Sequence, residues 1–581
     1  MPFDRDRPTP SRLSGEAVVP LPRPALLALL LAFALPGVFG RDLWPEDAAA
    51  FGRMWTMAHG SAADWWFPNV AGMATPQDGP FPFWLGAAAI RFMGGWLGET
   101  TASRIAALFW FLLAAVSMWG ATRRFAATEL AQPIAPAFGR ETDPGDYARL
   151  LADIAVLLFV STLGILLTLH VTSSDTVSVA LVASALYGLS LVPGRPIAGA
   201  ALAGACAGAL ALSRGPVLAA GLLAGCDLGL ALSASRRDSW LPMLVCTVMA
   251  LVIAAAWPVI VWWQLPHLAG PLGSEWLHAV PAMHGLLTGG DGIWLLRNAT
   301  WYVWPLWPLA AWALYAWRHH VRAAHIAFPA SVLAGLVLAL GVAAPLDESK
   351  LVLTIAPLTV LAAFGFPTLH RAREQWVDWF AIAVYTLFIA FVWAYFLALI
   401  SGTPRAMAAS VQRLIPGHSP DNSVLPLVLA LAVTGLWVAL IVWRVRRHPQ
   451  LLWRGAFLSA AGMTSLWLIA VTLFLPGANY NRSYRALAEQ IGHRVPVGDC
   501  VLAVGVSPAM RAVIAFYGKV RFAPNSADGT CRLALRPQYR RTGPTPLPVN
   551  PNASWTLAWE GRRPVRSDET WQLWRLGPRR S

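Results

Sequence analysis

The sequence predicts a mostly α-helical polytopic membrane protein with about thirteen transmembrane helices and a small C-terminal extracytoplasmic α/β domain. Hydrophobic residues make up 56% of the 581 residues, charged residues only 13%, and the mean hydropathy is +0.52. Soluble proteins carry about 25% charged residues, and disordered chains are rich in charge and poor in apolar residues. The composition therefore excludes both a soluble multidomain protein and a disordered one.

The basic residues indicate how the chain is oriented in the membrane. The formal net charge of +14 would suggest nucleic-acid binding in a soluble protein. Here the arginines lie mostly in alternate loops between apolar runs, as the positive-inside rule describes. The clusters are Arg123/Arg124, Arg236/Arg237, Arg318/Arg322, Arg371/Arg373 and Arg444/Arg446/Arg447. We expect these loops to be cytoplasmic and expect no nucleic-acid partner.

Thirteen apolar runs are read as spans of a bilayer about 30 Å thick. They cover about 24–40, 104–121, 150–169, 176–193, 196–213, 215–232, 241–262, 301–317, 325–343, 350–366, 377–400, 424–443 and 455–475. Residues 1–23 then form a cytoplasmic tail. An odd number of spans places the C-terminus outside the cytoplasm, and we predict a multi-pass protein of the bacterial inner membrane.

Three segments are predicted on the periplasmic side of this topology. Two are long loops, at about 41–103 and 264–300, that interrupt a transmembrane domain of residues 24–475. The third is the domain of residues 476–581, whose short apolar runs suit strands and short helices. Cys500 and Cys531 lie in it and could pair in an oxidising compartment. The sequence shows no Cys-x-x-Cys pair or His/Cys cluster, so no metal site is predicted.

Acidic residues at the outer membrane edge are the first candidates for chemistry. Glu46 and Asp47 follow the first span, and Asp175 begins the fourth. A carboxylate placed there can act as a general base towards a hydroxyl group. Because acidic residues also cap helices and favour helix N-termini, capping is the alternative reading of all three.

Basic residues on the same side are candidates for binding a phosphate. Arg214 precedes a Gly-Pro break between two apolar runs, and a guanidinium there suits forked hydrogen bonding to phosphate. Lys350 precedes another span and could bind a phosphate oxygen as a point charge. Arg297 and Tyr302, at the end of the second long loop, could contact a lipid-linked head group. Snorkelling of Arg214 and pairing of Lys350 with Asp347 or Glu348 are the alternatives.

Acids and cations together at the outer face suit sugar transfer from a polyprenyl-phosphate donor, because cations can stabilise the phosphate that leaves. A transporter or flippase of lipid-linked precursors is the main alternative. It would place ionisable residues near mid-membrane and show an internal repeat, and neither is visible in the sequence. A scaffold without chemistry would leave Arg214 and Lys350 unexplained.

Six short motifs occur in a defined order along the chain. They are Asp47 with Phe51, Gly60 through Asp64-Trp65 with Pro68, Gly79-Pro80-Phe81-Pro82-Phe83-Trp84-Leu85, Ala102-Ser103-Arg104, Ser213-Arg214-Gly215-Pro216 and Ser349-Lys350 with Pro357. With them the chain resembles the polytopic glycosyltransferases of GT-C fold that include protein O-mannosyltransferases and lipid A aminoarabinose transferases. The motifs cover about residues 24–370, and the rest of the chain resembles the family by architecture.

The resemblance implies an inverting transfer from a polyprenyl-phosphate sugar to lipid A, another glycan or a protein, among membrane lipids. Asp47 would be the catalytic base or position the acceptor, Asp175 would be a second acidic residue, and Arg214 and Lys350 would bind the donor phosphate. Some families of this architecture use a divalent cation, so the resemblance leaves that cofactor open. The acidic pair reads Glu46-Asp47 rather than Asp-Glu, so either residue could hold the key position, and Phe51 favours Asp47.

Two departures from the family pattern affect the substrate more than the reaction class. Gln77-Asp78-Gly79 stands where the family has a lysine before its proline pair, and Arg214 replaces another lysine. The identities of the donor sugar and of the acceptor therefore do not follow from the resemblance.

Overall fold

A computed structural model gives the architecture of most of the chain. It describes residues 8–76, 78–135, 140–233, 239–273, 276, 290–342, 347–369, 371–418, 423–447, 451–524, 531–540, 545–548, 553–563 and 565–578. The helices, numbered in chain order, are α1 (Arg23–Ala34), α2 (Pro45–His59), α3 (Ala62–Trp66), α4 (Phe81–Leu97), α5 (Glu99–Ala126), α6 (Pro144–Val160), α7 (Ile165–Thr168), α8 (Ser174–Leu191), α9 (Pro196–Arg214), α10 (Pro216–Ser233), α11 (Trp240–Gln264), α12 (Ala269–Leu272), α13 (Gly290–Tyr302), α14 (Leu306–Ala316), α15 (Ala324–Val342), α16 (Glu348–Leu351), α17 (Ile355–Gly365), α18 (Arg371–Ser401), α19 (Arg405–Leu414), α20 (Val424–Arg447), α21 (Arg454–Arg482), α22 (Arg485–Gly492) and α23 (Pro508–Gly518).

The predicted fold class is confirmed, but the number of spans is not. Ten helical segments of the described residues are long and apolar enough to cross a membrane. The other three predicted spans contain shorter helices, α1, α6 and α14, so thirteen stays a prediction. Most residues in the apolar stretches of α11, α18 and α20 are not buried within the protein, as expected of helices that face lipid.

Helix-breaking residues explain why two of these helices are short. After α1 comes Pro36, which cannot donate a backbone hydrogen bond, and Gly37, whose φ is +84°. Residues 301–317 were predicted as one span, but α13 ends at Tyr302 and α14 begins at Leu306. Pro305 precedes the first residue of α14 and separates the two helices.

The C-terminal part of the chain forms a mixed sheet, as predicted. Its strands are β3 (Cys500–Ala503), β4 (Arg521–Phe522), β5 (Leu533–Tyr539), β6 (Ala553–Arg563) and β7 (Arg566–Pro578), whereas β1 (Asn69–Val70) and β2 (Met73–Ala74) form a separate hairpin. The order across the sheet is β4-β3-β5-β7-β6, with β3 parallel to β4 and β5 and with β7 antiparallel to its neighbours. Cys500 and Cys531 form a disulfide with a Cα–Cα distance of 5.2 Å.

The first long loop and the C-terminal domain share one hydrophobic core. The rings of Phe51 on α2 and Phe516 on α23 meet edge to face, with centroids 4.9 Å apart. Gly52 lies so close to α23 that an added Cβ would be 2.6 Å from the Cβ of Ala512. The two segments therefore lie on the same side of the helical bundle, and the periplasmic assignment and domain limits stay predictions.

Candidate active site

Asp47 lies in the first turn of α2 and is held between two arginines. Its side chain is 1% exposed. Arg41 Nη2 lies 2.5 Å from Asp47 Oδ2, and Arg104 Nη2 lies 3.7 Å from the same oxygen. The backbone N–H of Thr172 donates a 2.8 Å hydrogen bond to Asp47 Oδ1. The carboxylate thus has a partner for each oxygen in a buried setting.

Burial and charge act in opposite directions on this carboxyl group. Burial is the largest influence and raises the pKa of Asp47 above its ordinary value. The charges of Arg41 and Arg104 and the hydrogen bond from Thr172 favour the ionised form and oppose that rise. Removal of either arginine should therefore make Asp47 harder to ionise.

Arg104 fixes the chain on which Arg41 lies. Its guanidinium donates to the backbone oxygens of Val38 at 3.3 Å, Arg41 at 2.7 Å and Asp42 at 2.9 Å. Arg104 comes from the beginning of α5, so it joins the segment after α1 to a second helix. The resemblance named Arg104 only as part of a motif, and the structure gives it an ion pair with Asp47 as well as these three hydrogen bonds.

A second cluster forms where α8 and α9 meet α16. Arg214, the last residue of α9, has its Nη2 2.9 Å from Asp175 Oδ1. Its Nη1 donates to Ser174 Oγ at 3.1 Å. Its Nη2 also donates to the backbone oxygen and to Oγ of Ser349, both at 2.8 Å. The guanidinium is thus fixed at the end of a predicted membrane helix by three residues from two other segments.

The helix break at Gly215-Pro216, directly after Arg214, positions this arginine. Gly215 has a φ of +87°, a conformation that favours glycine, and Pro216 begins α10. Gly79 packs against the same end of α9, where an added Cβ would lie 2.1 Å from the backbone oxygen of Leu212. Gly79 and Gly215, which belong to two of the predicted motifs, therefore both shape the end of α9 that carries Arg214.

Lys350 belongs to this second cluster. It follows Ser349 directly, and the charges of Asp347 and Arg214 both act on it. Ser349 Oγ donates a 2.5 Å hydrogen bond to Asp347 Oδ1. The charge of Asp78, from the first long loop, also acts on Arg214. The structure thus brings Asp175 and Arg214 into contact and places Lys350 directly after Ser349, a hydrogen-bond partner of Arg214.

One connector joins the two clusters. Within the segment from Thr172 to Asp175, the N–H of Thr172 donates to Asp47 and the hydroxyl of Ser174 accepts from Arg214. His170, just before it, lies with Nδ1 2.6 Å from the backbone oxygen of Leu166 and with Nε2 2.7 Å from that of Phe33. The connector is therefore fixed against α1 as well as α7.

Tyr302 and Arg297 lie beside the second cluster on α13. The Tyr302 hydroxyl is 3.1 Å from Thr168 Oγ1, and Arg214 and Asp175 act on it electrostatically. Arg297 is exposed and lines an open groove of about 630 Å³ together with Glu348. Tyr302 thus borders the predicted site, whereas Arg297 lines this groove.

Glu46 points elsewhere. Its side chain is half-exposed and lies 2.6 Å from Arg482 at the end of α21. It shares none of the described contacts of Asp47 with Arg41, Arg104 and Thr172. The sequence left open whether Glu46 or Asp47 holds the key position, and the structure gives the two residues different surroundings.

Several residues of the clusters were not predicted as site residues. They are Arg41, Asp78, Arg104, Thr172, Ser174 and Ser349. Arg41 and Arg104 lie at the ends of apolar runs, where a charge is costly unless it is paired, and this was the available signal. Among the residues that the structure describes, no three His, Cys, Asp or Glu side chains are grouped so that they could hold a metal ion.

Comparison with known proteins identifies the fold. No family model and no curated protein sequence matches the chain. The crystal structure of ArnT from Cupriavidus metallidurans in the apo state matches with a TM-score of 0.61 and 16% identity, over 85% of this chain and 84% of that one. The structure of that protein bound to undecaprenyl phosphate matches with a TM-score of 0.63 and 16% identity, over 94% and 96%. The chain therefore has the ArnT fold, which confirms the GT-C architecture that the motifs predicted.

Proposed function

We propose that this protein is a membrane glycosyltransferase that moves a sugar from a polyprenyl-phosphate donor to an envelope acceptor at the periplasmic face, with inversion. The observation that carries the proposal is the cluster of Asp175, Arg214 and Lys350. It lies at the ends of apolar helices in a fold that binds undecaprenyl phosphate in the solved ArnT structure. Lipid A, another glycan and a protein are the candidate acceptors.

The donor phosphate would bind to Arg214 and Lys350. A guanidinium can give two parallel hydrogen bonds to a phosphate, and an ammonium adds a compact charge. Arg214 pairs with Asp175 in the structure, so the incoming phosphate would exchange with this carboxylate. The same cations would stabilise the charge that develops on the phosphate as the sugar–oxygen bond breaks.

Asp47 would receive the proton of the acceptor hydroxyl. The acceptor oxygen forms a bond to the sugar C1, the bond from C1 to the phosphate oxygen breaks, and polyprenyl phosphate leaves with the electron pair. Because Asp47 is 1% exposed and contacts Arg41, this step requires that the Arg41–Asp47 contact open. Asp175, 16% exposed at its side chain, would position Arg214 before the donor arrives.

The experiment is transfer in vitro together with mass spectrometry of the cell envelope. Purified protein is assayed with polyprenyl-phosphate sugars, and glycolipids and periplasmic glycoproteins are compared in a deletion strain complemented with wild type, Asp47→Asn or Arg482→Ala. We expect one sugar-sized mass to be lost on deletion and restored by wild type and Arg482→Ala but not by Asp47→Asn. Restoration by Asp47→Asn would overturn the role of Asp47. No mass change in any fraction, with lipid-linked sugar flux lost on deletion, would establish the flippase alternative instead.

A further inference from the structure

A groove of about 540 Å³ lies between the first long loop and the C-terminal domain, apart from both clusters. Its volume is typical of sites for small molecules, which often lie between domains. Its lining combines aromatic side chains with charged ones: Trp55, Phe516 and Phe522, then Glu99, Lys519 and Arg521. Phe522 is buried, whereas Lys519 and Arg521 are exposed. The groove thus has an aromatic floor and a charged rim.

The aromatic floor is fixed by its neighbours. Trp55 Nε1 donates a 3.1 Å hydrogen bond to Glu99 Oε2. His59 Nε2 lies 2.9 Å from the other oxygen of the same carboxylate. The Trp55 and Phe516 rings meet edge to face at 6.1 Å. A platform held in this way loses little conformational freedom when a ligand binds.

Two unusual backbone positions lie in this groove. Ala71 and Lys519 have φ values of 47° and 53°, and no other non-glycine residue in the described part of the chain has a positive φ. Such conformations are rare outside glycine, and they gather at ligand sites when the surrounding structure holds them. Arg511 holds the first one, because its Nε and Nη2 donate to the backbone oxygen of Ala71 at 3.1 and 2.9 Å.

Lys519 occupies a position at which glycine is usual. It follows the last residue of α23 in the left-handed conformation, where a helix commonly ends on glycine. Glycine would adopt this conformation without steric cost. The lysine therefore places a positive charge at the rim of the groove at the expense of a less favourable backbone.

We propose that this groove binds an anionic oligosaccharide, as the part of the acceptor glycan that is remote from the reacting hydroxyl. The proposal rests on the proposed function. The C–H face of a pyranose ring can stack on Trp55, while Lys519 and Arg521 pair with acidic groups of the sugar. Glu99 contributes one negative charge to the lining against the two positive charges of Lys519 and Arg521, and its two oxygens are turned to Trp55 and His59.

The position of the groove sets the size of the acceptor. Trp55, on which the sugar would stack, lies eight residues after Asp47 on α2. At the rise of an α-helix this is about 12 Å. A single sugar ring cannot span that distance, so the acceptor would be a glycan of several rings.

Binding is tested with two tetrasaccharides that differ in their carboxylates. Full-length protein in detergent is titrated with tetragalacturonate and with maltotetraose by isothermal titration calorimetry. We expect tetragalacturonate to bind at least about tenfold more tightly, since each charge-assisted hydrogen bond contributes about 1.5–3 kcal/mol. Lys519→Gly should lose about tenfold in affinity for tetragalacturonate while keeping or raising the unfolding midpoint. Trp55→Leu should weaken the binding of both sugars.

The control is Arg562→Gln on β6, at the opposite edge of the sheet from Arg521 on β4. It removes the same kind of exposed charge and should leave the affinity unchanged. Any of three results would overturn the proposal. Wild type and Lys519→Gly could bind tetragalacturonate with equal affinity, or the two sugars could bind the wild type with equal affinity. The third is a loss of affinity in Arg562→Gln as large as that in Lys519→Gly. Failure of the proposed function is distinguishable: transfer would then be absent with every donor while the groove still binds. Transfer with an unchanged acceptor KM in Lys519→Gly would overturn the groove alone.

Discussion

Arg214 serves either to neutralise Asp175 or to bind the donor phosphate, and one pair of substitutions separates these roles. Arg214→Gln removes the charge and leaves Asp175 in a setting where it is only 16% exposed. Breaking a buried pair by removing one partner costs about 3–5 kcal/mol. Because both side chains retain some exposure, we expect the lower end, about 3 kcal/mol of unfolding free energy. Adding Asp175→Asn removes the unpaired charge and should recover most of that loss.

Activity should not recover in the double variant. Two charge-assisted hydrogen bonds from a guanidinium to phosphate contribute about 1.5–3 kcal/mol each. Their loss corresponds to a fall in kcat/KM of about 100-fold or more. Arg214→Lys keeps the charge without the fork and should give an intermediate rate, with the donor KM changed more than the acceptor KM.

The assay is transfer from a polyprenyl-phosphate sugar at varied donor concentration, alongside thermal unfolding of the same samples. Glu46→Gln, which removes a half-exposed carboxylate paired with Arg482, is the matched control and should change neither measurement by much. If Arg214→Gln/Asp175→Asn regains both stability and activity, Arg214 only balances the charge of Asp175, and the phosphate role is wrong.

Three further predictions concern the rest of the molecule. Asp47→Asn should abolish transfer while expression and membrane insertion, checked by immunoblot of membrane fractions, stay normal; turnover near the wild-type rate would contradict its role as base. Arg41→Gln should move the acid limb of the pH profile of kcat/KM to higher pH. Burial raises the pKa of Asp47 and the charge of Arg41 lowers it, so loss of Arg41 raises this pKa, and Asp47 acts as a base only above it. An unshifted or lower limb would contradict this. Reducing the Cys500–Cys531 disulfide, which joins residues 31 apart, should lower the stability of the C-terminal domain by about 3–4 kcal/mol, as measured by its unfolding with and without reductant. Cys500→Ser/Cys531→Ser has no disulfide to reduce and controls for the reductant: its stability should be the same with and without it.

The membrane architecture could be predicted because it depends on properties that lie along the chain. Apolar runs of sufficient length and the alternation of arginine-rich loops are both visible in the sequence. The exact helix limits were harder, since they depend on local breaks such as Pro36-Gly37 after α1 and Pro305 before α14. Hydropathy averages over such breaks, which is why α1 and α14 are shorter than predicted.

The site was predicted as a set of residue types but not as a set of pairs. Asp175 and Arg214 were chosen separately, and only the packing of α8 against α9 brings them to 2.9 Å. Similarly, the sequence named Asp47 but not Arg41 as its partner, because a nearby arginine can equally face lipid head groups. Contacts of this kind depend on the side-chain directions of several segments at once, which no single window of sequence contains.

The connector from Thr172 to Asp175 contacts both the proposed donor cluster and the proposed acceptor cluster, and we expect it to couple them. Ser174 holds Arg214 with one hydrogen bond of 3.1 Å, and two residues earlier the N–H of Thr172 holds Asp47. Ser174→Ala removes about 1 kcal/mol of hydrogen bonding, so donor affinity should fall about fivefold. Because the freed connector also carries the N–H group on Asp47, the acid limb of kcat should move to higher pH in the same variant.

Ser190→Ala provides the matched control, since Ser190 is an equally buried serine at the other end of α8 whose Oγ donates to the backbone oxygen of Tyr187. It should leave the acid limb unchanged. A weaker donor affinity in Ser174→Ala without any shift of the acid limb would show that the two clusters act independently. A shift in both properties would instead mean that the connector couples the contacts of Arg214 to the ionisation of Asp47.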